Sequence, residues 1–269
     1  MPYRIDVDQV LAAKSPKWHR RIPKWLIRKL ERIIHQEEMN AFLETHSDDH
    51  SLEFANNVIQ MLGANYQIRN EENVPREGRP IVVSNHPLGG LDGLCYISLF
   101  SQYRSDIKFP VNDLLMNMKP MCEVFVPINK HGSLNRDAVT QLNDTFASDE
   151  LMLYFPAGLC SRKQKGGIIR DLEWKPTIIS KAKQYKRDII PAYFDGKNSD
   201  FFYNLARFRK KIGIKFNIEM IYLVDEMYRQ KGNTFTITFG EPISYNTFDN
   251  SRTALEWAAW LKEKVYSLK

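Results

Sequence analysis

Cysteine is scarce in this chain: Cys95, Cys122 and Cys160 are the only three in 269 residues. So few, so widely spaced, exclude a disulfide framework and a Cys/His zinc site, and they fit a reducing compartment. No grouping of His, Cys and Asp has metal-ligand spacing, so no metal is expected. No apolar run approaches the roughly 20 residues that a membrane-spanning helix needs. The first ten residues, MPYRIDVDQV, lack an apolar stretch of signal-peptide length. Low-complexity segments and internal repeats are also missing, which excludes a solenoid. The expectation is a soluble or peripherally bound cytoplasmic protein.

What is present is ordinary for a folded chain. Hydrophobic residues make up 43% and charged residues 26%, enough apolar material for one large core plus an extension. The net charge is +6, but it is not spread evenly. Residues 14–32, KSPKWHRRIPKWLIRKLER, hold eight Lys or Arg and one acid, so this segment carries +7 and the remainder sums to −1. Within it Ile22, Trp25, Leu26, Leu30, Ile33 and Ile34 follow helical spacing, with Lys29 the one interruption. A basic amphipathic helix rich in Trp and Leu has the composition of an interfacial membrane helix. Trp18, Arg21, Trp25, Leu26, Arg28 and Lys29 are therefore expected to meet an anionic membrane surface. The alternative is a stripe packed on the core. Nucleic acid is not expected as a partner, because bulky aliphatics interleave the bases and no nucleic-acid motif is present. A second basic stretch, Arg207–Lys211 with Lys215, follows Phe201-Phe202-Tyr203. It reads equally as a membrane-facing patch or a solvated helix end.

The chain changes character near residue 64. Residues 1–63 read as an all-helical, basic amphipathic region, with Asp49 or Ser51 capping a helix that Gly63 ends. Residues 64–269 alternate short β-rich runs with helices. The strands are expected at Tyr66–Arg69, Pro80–Ser84, Ile107–Val111, Val124–Val126, Leu151–Phe155, Ile189–Phe194 and Thr234–Phe239. Helices are expected at Leu91–Tyr103, Leu134–Phe146, Thr177–Tyr185 and Thr253–Leu268. This alternation predicts an α/β fold, a largely parallel mixed sheet flanked by helices.

The chemistry centres on the run from Ile81 to Gly93, IVVSNHPLGGLDG. An apolar strand ends in a turn shaped by Pro87, Gly89 and Gly90, and a helix then begins. In α/β sheets, sites gather where strands end. His86 there, with Asp92 six residues on, forms a dyad if the glycine loop folds back, the carboxylate fixing the imidazole tautomer. Spacing alone favours a plain polar surface histidine.

The run resembles the NHxxxxD box of the glycerolipid acyltransferases, the PlsC-like lysophospholipid family. Val124–Asn129 stands where that family has its second block. Residues 155–162, FPAGLCSR, resemble its FPEGTRS block, Ile189–Tyr193 its proline-containing strand, and Phe239–Ile243 its late G-x-P-I strand end. Taken together the resemblance covers residues 75–245. The chain departs from the pattern in four places, the first being a second block that lacks its arginine and offers Asn129-Lys130. Five residues separate His86 from Asp92 instead of four, the block glutamate is Ala157, and the arginine is displaced to Arg162. The variant is most similar to a hemolysin-like bacterial branch that completes ornithine and glycine lipids.

The resemblance implies an acyltransferase in which His86 takes a proton from an acceptor hydroxyl and Asp92 orients it. The donor is then a thioester of acyl carrier protein or coenzyme A, a co-substrate, and no cofactor is required. The acceptor is a lysolipid, expected to be a monoacylated aminolipid because the altered blocks disfavour a glycerol phosphate. The alternatives are a 1-acyl-glycerol-3-phosphate acyltransferase and a non-catalytic membrane-surface protein. Substrate contacts are implied for Asn85, Gly89, Gly90, Asn129, Lys130, Pro156, Gly158, Ser161, Arg162 and Lys163, with Lys165 beside them. The Gly89-Gly90 amides are expected to hold the oxyanion. The protein is expected on the inner face of the cell membrane. Asp92→Asn is expected to cost rate without costing the fold.

Other nucleophiles fit less well. No G-x-S-x-G elbow is present, and Ser84 precedes the turn. Cys160 is expected to be a small packed residue and His131 a loop residue.

Overall fold

The computed structural model describes residues 4–14, 16–128 and 136–269; the side chains of Lys14, Lys17, Trp18, Asp113 and Leu114 lie outside the description. Five helices come first: α1 (Val7–Lys14), α2 (Pro16–His19), α3 (Lys24–Ile33), α4 (Gln36–His46) and α5 (Ser51–Leu62). Strands and helices then alternate: β1 (Asn65–Arg69), β2 (Ile81–Ser84), α6 (Leu91–Phe100), β3 (Ile107–Asn112), β4 (Phe125–Ile128), α7 (Arg136–Ala147) and β5 (Leu151–Tyr154). A small hairpin, β6 (Arg162–Lys163) and β7 (Ile169–Arg170), precedes α8 (Thr177–Tyr185), β8 (Ile189–Asp195), α9 (Asp200–Lys211), α10 (Leu223–Arg229), β9 (Thr234–Phe239) and α11 (Ala254–Tyr266).

Seven strands form one sheet in the order β1-β9-β8-β2-β5-β3-β4. All neighbours run parallel except β8 and β9. The fold is thus the α/β, largely parallel mixed sheet expected from the alternation. The sheet is buried on both faces, and the residues alternate accordingly. Val82 of β2 and Leu151 and Leu153 of β5 join one core with α5 and α6. Ile81, Val83, Met152 and Tyr154 point the other way, into a second core with Trp174, Ile178, Trp257 and Leu261. The closing helix α11 begins with a reciprocal cap between Thr253 and Glu256.

The N-terminal helices differ from expectation in two details. Gly63 ends α5 in a left-handed conformation, as read. Neither Asp49 nor Ser51 caps its start. The Ser51 amide donates to Glu123 Oε2 at 3.2 Å, and the Ser51 hydroxyl donates to the Pro120 carbonyl. The cap therefore comes from a residue 72 positions away, which local spacing cannot reveal. α5 also packs into the sheet core through Phe54, Val58 and Leu62. In α3 the buried residue is Ile27, outside the stripe read from the sequence, while Trp25 is 62% exposed. Leu26 is half-buried, and Arg21, Arg28 and Lys29 are exposed.

Candidate active site

β2 lies between β8 and β5, so the turn that follows it sits at the middle of the sheet's C-terminal edge. His86 is two residues beyond that strand. Its ring stacks on Phe155, just beyond β5, with centroids 4.3 Å apart. His86 Nδ1 lies 2.9 Å from Asp92 Oδ2. The imidazole is 15% exposed and the carboxylate not at all. Among the described residues no protein group bonds Nε2.

The loop folds back because Asp92 gathers it. Asp92 accepts four hydrogen bonds: His86 Nδ1 and the Leu88 amide on Oδ2, the Gly90 and Gly93 amides on Oδ1. Its place in the first turn of α6 adds the favourable end of the helix dipole. Burial alone pushes the carboxyl up. The facing His86 charge, its hydrogen bond and the backbone amides outweigh burial and hold the Asp92 carboxyl below its ordinary value. Gly89 makes the fold-back possible. Its φ is +81°, and a Cβ there would stand 2.9 Å from Leu223 and 3.1 Å from Cys160.

A second buried carboxylate supports the loop from the other side. Asp171 is fully buried. Its Oδ1 accepts the His86 amide at 3.2 Å and the Ser161 hydroxyl at 2.6 Å, and its Oδ2 accepts Trp174 Nε1 at 2.9 Å. The Ser161 amide returns a bond to the His86 carbonyl at 2.7 Å. His86 is therefore held by backbone, by ring and by side chain.

Several residues read as substrate contacts have other partners. The Asn85 side chain is turned to β8: Oδ1 accepts the Phe194 amide at 2.7 Å and Nδ2 donates to the Phe194 carbonyl at 2.9 Å. It is 2% exposed and extends the β2–β8 ladder, so it is not placed to meet substrate. The Gly90 amide is occupied by Asp92, which removes it from the oxyanion role; the Gly89 amide has no protein partner among the described residues. Ser161 is bonded to Asp171 and 1% exposed. Arg162 donates to the Cys160 carbonyl and to Glu219 Oε1, 2.9 and 3.1 Å away. Glu219, fully buried, also accepts from Arg209, forming an Arg–Glu–Arg cluster that explains why Arg162 is held inside. Lys163 pairs with Asp200 at 3.1 Å. The Pro156 carbonyl accepts the Lys175 amide, and Gly158 turns the chain at φ +63°. Asn129, Lys130 and His131 lie outside the described residues. Burial pushes the Cys160 thiol up to about 11, so this residue is packed and protonated.

Sequence reasoning missed Asp171 and Glu219. Each is an acid in an unremarkable stretch, and only burial beside distant partners marks it. Phe155, inside a motif already singled out, gains its role from stacking under His86.

A cleft of about 1270 Å³ opens beside this network, lined among others by Lys163, Lys165, Asp171, Trp174, Lys210 and Lys262. His86 itself does not line it. No group of three or more potential metal ligands occurs among the described residues.

An acyltransferase family model matches residues 9–269. The chain belongs to the acyltransferase family. Two relatives in that family cover nearly its full length. The lyso-glycine lipid O-acyltransferase of Bacteroides thetaiotaomicron is 48% identical over 268 residues, covering 99% of this chain and 98% of its own. The enzyme of the same name from Phocaeicola vulgatus is 44% identical over 268 residues, covering 99% and 95%. The crystal structure of the 1-acyl-sn-glycerophosphate acyltransferase PlsC from Thermotoga maritima is also similar, with TM-score 0.48 and 16% identity over 91% of this chain and 83% of that one. The glycine-lipid branch expected from the motifs is thus met in the two lyso-glycine lipid O-acyltransferases. The protein is an enzyme of the acyltransferase class.

Proposed function

We propose that this acyltransferase moves a fatty acyl group from an acyl thioester to the hydroxyl of a monoacylated glycine lipid. The observation that carries the proposal is the His86–Asp92 pair. Nδ1 is held by a buried carboxylate and Nε2 bonds no protein group among the described residues, in a chain that two lyso-glycine lipid O-acyltransferases match over 268 residues. Nε2 takes the proton of the acceptor hydroxyl as its oxygen attacks the thioester carbonyl. The tetrahedral adduct collapses, the C–S bond breaks, and the leaving thiolate recovers the proton from His86. Asp92 stabilises the transient imidazolium, help worth about 10²–10⁴-fold in rate. The Gly89 amide is the loop donor still available to the oxyanion.

Acceptor and donor choices follow from the same residues. Arg162 is tied to Glu219, so the third block's arginine is not free to meet a phosphate headgroup; this favours the glycine lipid over a glycerol phosphate. The cations of the neighbouring cleft, Lys165 among them, suit the phosphopantetheine phosphate of acyl carrier protein or coenzyme A. No resident cofactor is called for. Exposed Trp25, beside Arg21, Arg28 and Lys29, supports a contact of α3 with the anionic inner face of the cell membrane. No helix among the described residues is long and apolar enough to cross a membrane.

The test is turnover of the purified protein with acyl carrier protein and coenzyme A thioesters, offering lyso-glycine lipid and lysophosphatidic acid side by side. Diacylated glycine lipid is the expected product. A clear preference for lysophosphatidic acid would overturn the acceptor while keeping the family. No turnover with any pair would overturn the catalytic reading.

A further inference from the structure

α9 has two apolar faces where a surface helix ordinarily has one. Phe202, Tyr203 and Ala206 point inward, packing with Cys160 under the active-site loop. Phe201, Leu205, Phe208 and Ile212 recur at spacings of four, three and four, a second helical face. Phe201, Phe208 and Ile212 on that face are 48, 59 and 52% exposed. The chain beyond it continues the ridge with Ile214 and Phe216, 40 and 68% exposed. Large exposed apolar side chains gathered this closely mark an interaction surface.

Charge narrows the occupant. Residues 201–218 contain Arg207, Arg209, Lys210, Lys211 and Lys215 and no acid. Glu219 neutralises Arg209 from the inside, which leaves four exposed cations around the apolar ridge. A second copy of the same face would meet it with like charge. An anionic lipid surface complements both the bases and the phenylalanines. The position fits as well. The 3-10 turn Ile218–Tyr222 packs on α9 and runs into α10. α10 receives His35, from the α3–α4 junction, through a 3.1 Å contact to Asp225 and a ring stack on Tyr228. The ridge and the basic N-terminal helices are thus joined through one element.

We infer that the ridge from Phe201 to Phe216 is a second membrane contact, one that inserts Phe208, Ile212 and Phe216 into an anionic bilayer. It deepens the proposed function, resting on it only for the purpose of the contact, which is to bring a bilayer-resident acceptor to the loop that α9 supports. Binding itself can be read without turnover.

The experiment uses the full chain and phosphatidylcholine vesicles with or without phosphatidylglycerol. The double variant F208A/F216A is expected to bind anionic vesicles at least about tenfold more weakly than wild type. K210E/K211E is expected to remove most of the dependence on phosphatidylglycerol and on salt. An environment-sensitive dye on F216C, in a C122S background, reports this site alone; it should move to an apolar environment on vesicle addition. F208A/F216A should keep wild-type turnover on detergent-dispersed acceptor and lose it on vesicle-embedded acceptor. A dye that stays in water on vesicle-bound protein, or F208A/F216A binding as wild type does, overturns the inference. So does a concentration-dependent dimer that these substitutions dissolve while vesicle binding persists. If wild type binds through the ridge yet transfers no acyl group, the catalytic reading fails and the membrane contact stands.

Discussion

The two ends of β2 each bury a charge, and they bury it differently. At the strand's N-terminal end Arg187 is fully buried and donates to backbone carbonyls: Arg79 at 2.7 Å, Thr145 at 3.0 Å, Phe146 at 3.2 Å, and Glu150. Burial, then the neighbouring Arg79, pushes its guanidinium down to about 10, still charged at neutral pH. At the C-terminal end Asp92 accepts from three amides and from an imidazole. Both charges are fully partnered, as buried charges must be. Arg187 faces only oxygens that cannot change their charge. Asp92 faces an imidazole that can, 15% exposed, whose Nε2 bonds no protein group among the described residues. A buried charge does not by itself mark a site; an unbonded titratable atom at the end of its network does.

Removing the base should sharpen the contrast most. His86→Ala is expected to lower kcat by about 10²–10⁴-fold while thermal unfolding shifts by no more than about 1–2 kcal/mol. Activity within a few-fold of wild type would remove His86 from the chemistry. Asp92→Asn should lose comparable rate through the wrong tautomer. The fold is expected to persist, at reduced stability. An amide cannot accept at both ends, so one pair of donors loses its partner, costing about 2–3 kcal/mol in denaturant melts.

At the other end the pattern should invert. Arg187→Met removes the buried donor to these carbonyls, Glu150 and Arg79 among them, and is expected to cost about 3 kcal/mol of stability. The protein that remains folded should turn over at the wild-type rate. A specific loss of kcat without loss of stability would break the comparison. A smaller effect is expected from Asp171→Asn. It should lower kcat by about tenfold with KM and the pH profile unchanged, because the residue positions His86 through its backbone and never touches the reacting atoms. A merely structural role would lower the melting temperature and leave kcat per folded molecule alone.

The smallest effect concerns acid. The Asp92 carboxyl is held below 3.8 in the folded state, so the unfolded chain binds its proton first on acidification. The stability it contributes is therefore complete above that value and is lost as pH falls through the lower folded one. The stability gap between wild type and D92N should be constant near neutrality and close only below about pH 4. Urea melts across that range check it.

The sheet was legible because its strands carry their own signal. β2, β5 and β8 are short β-branched or aliphatic runs ended by turn residues, and all seven strands lie where the runs predicted them. α9 was read at most as a helix end because apolar residues on two faces blur the single period that a helix search looks for. The β6–β7 hairpin has two residues per strand, too few to show any period. At the site, His86 and Asp92 were legible because they share one loop. Asp171 joins it from 85 residues away and Glu219 joins Arg162 from 57, distances at which side-chain partnership leaves no trace in spacing. Asn85 misled for the opposite reason: it adjoins the histidine in sequence, but its partner is Phe194, 109 residues on.

The last of these long connections bears on when the enzyme becomes competent. The Asp171 amide donates to the Tyr266 hydroxyl at 2.7 Å across 95 residues, and Lys262 donates to the Asp171 carbonyl. Both partners ride on α11, so the brace behind His86 closes only when that helix docks. Contacts this distant in sequence form slowly. Competence of the proposed dyad therefore waits on the docking of α11 and not on the loop alone.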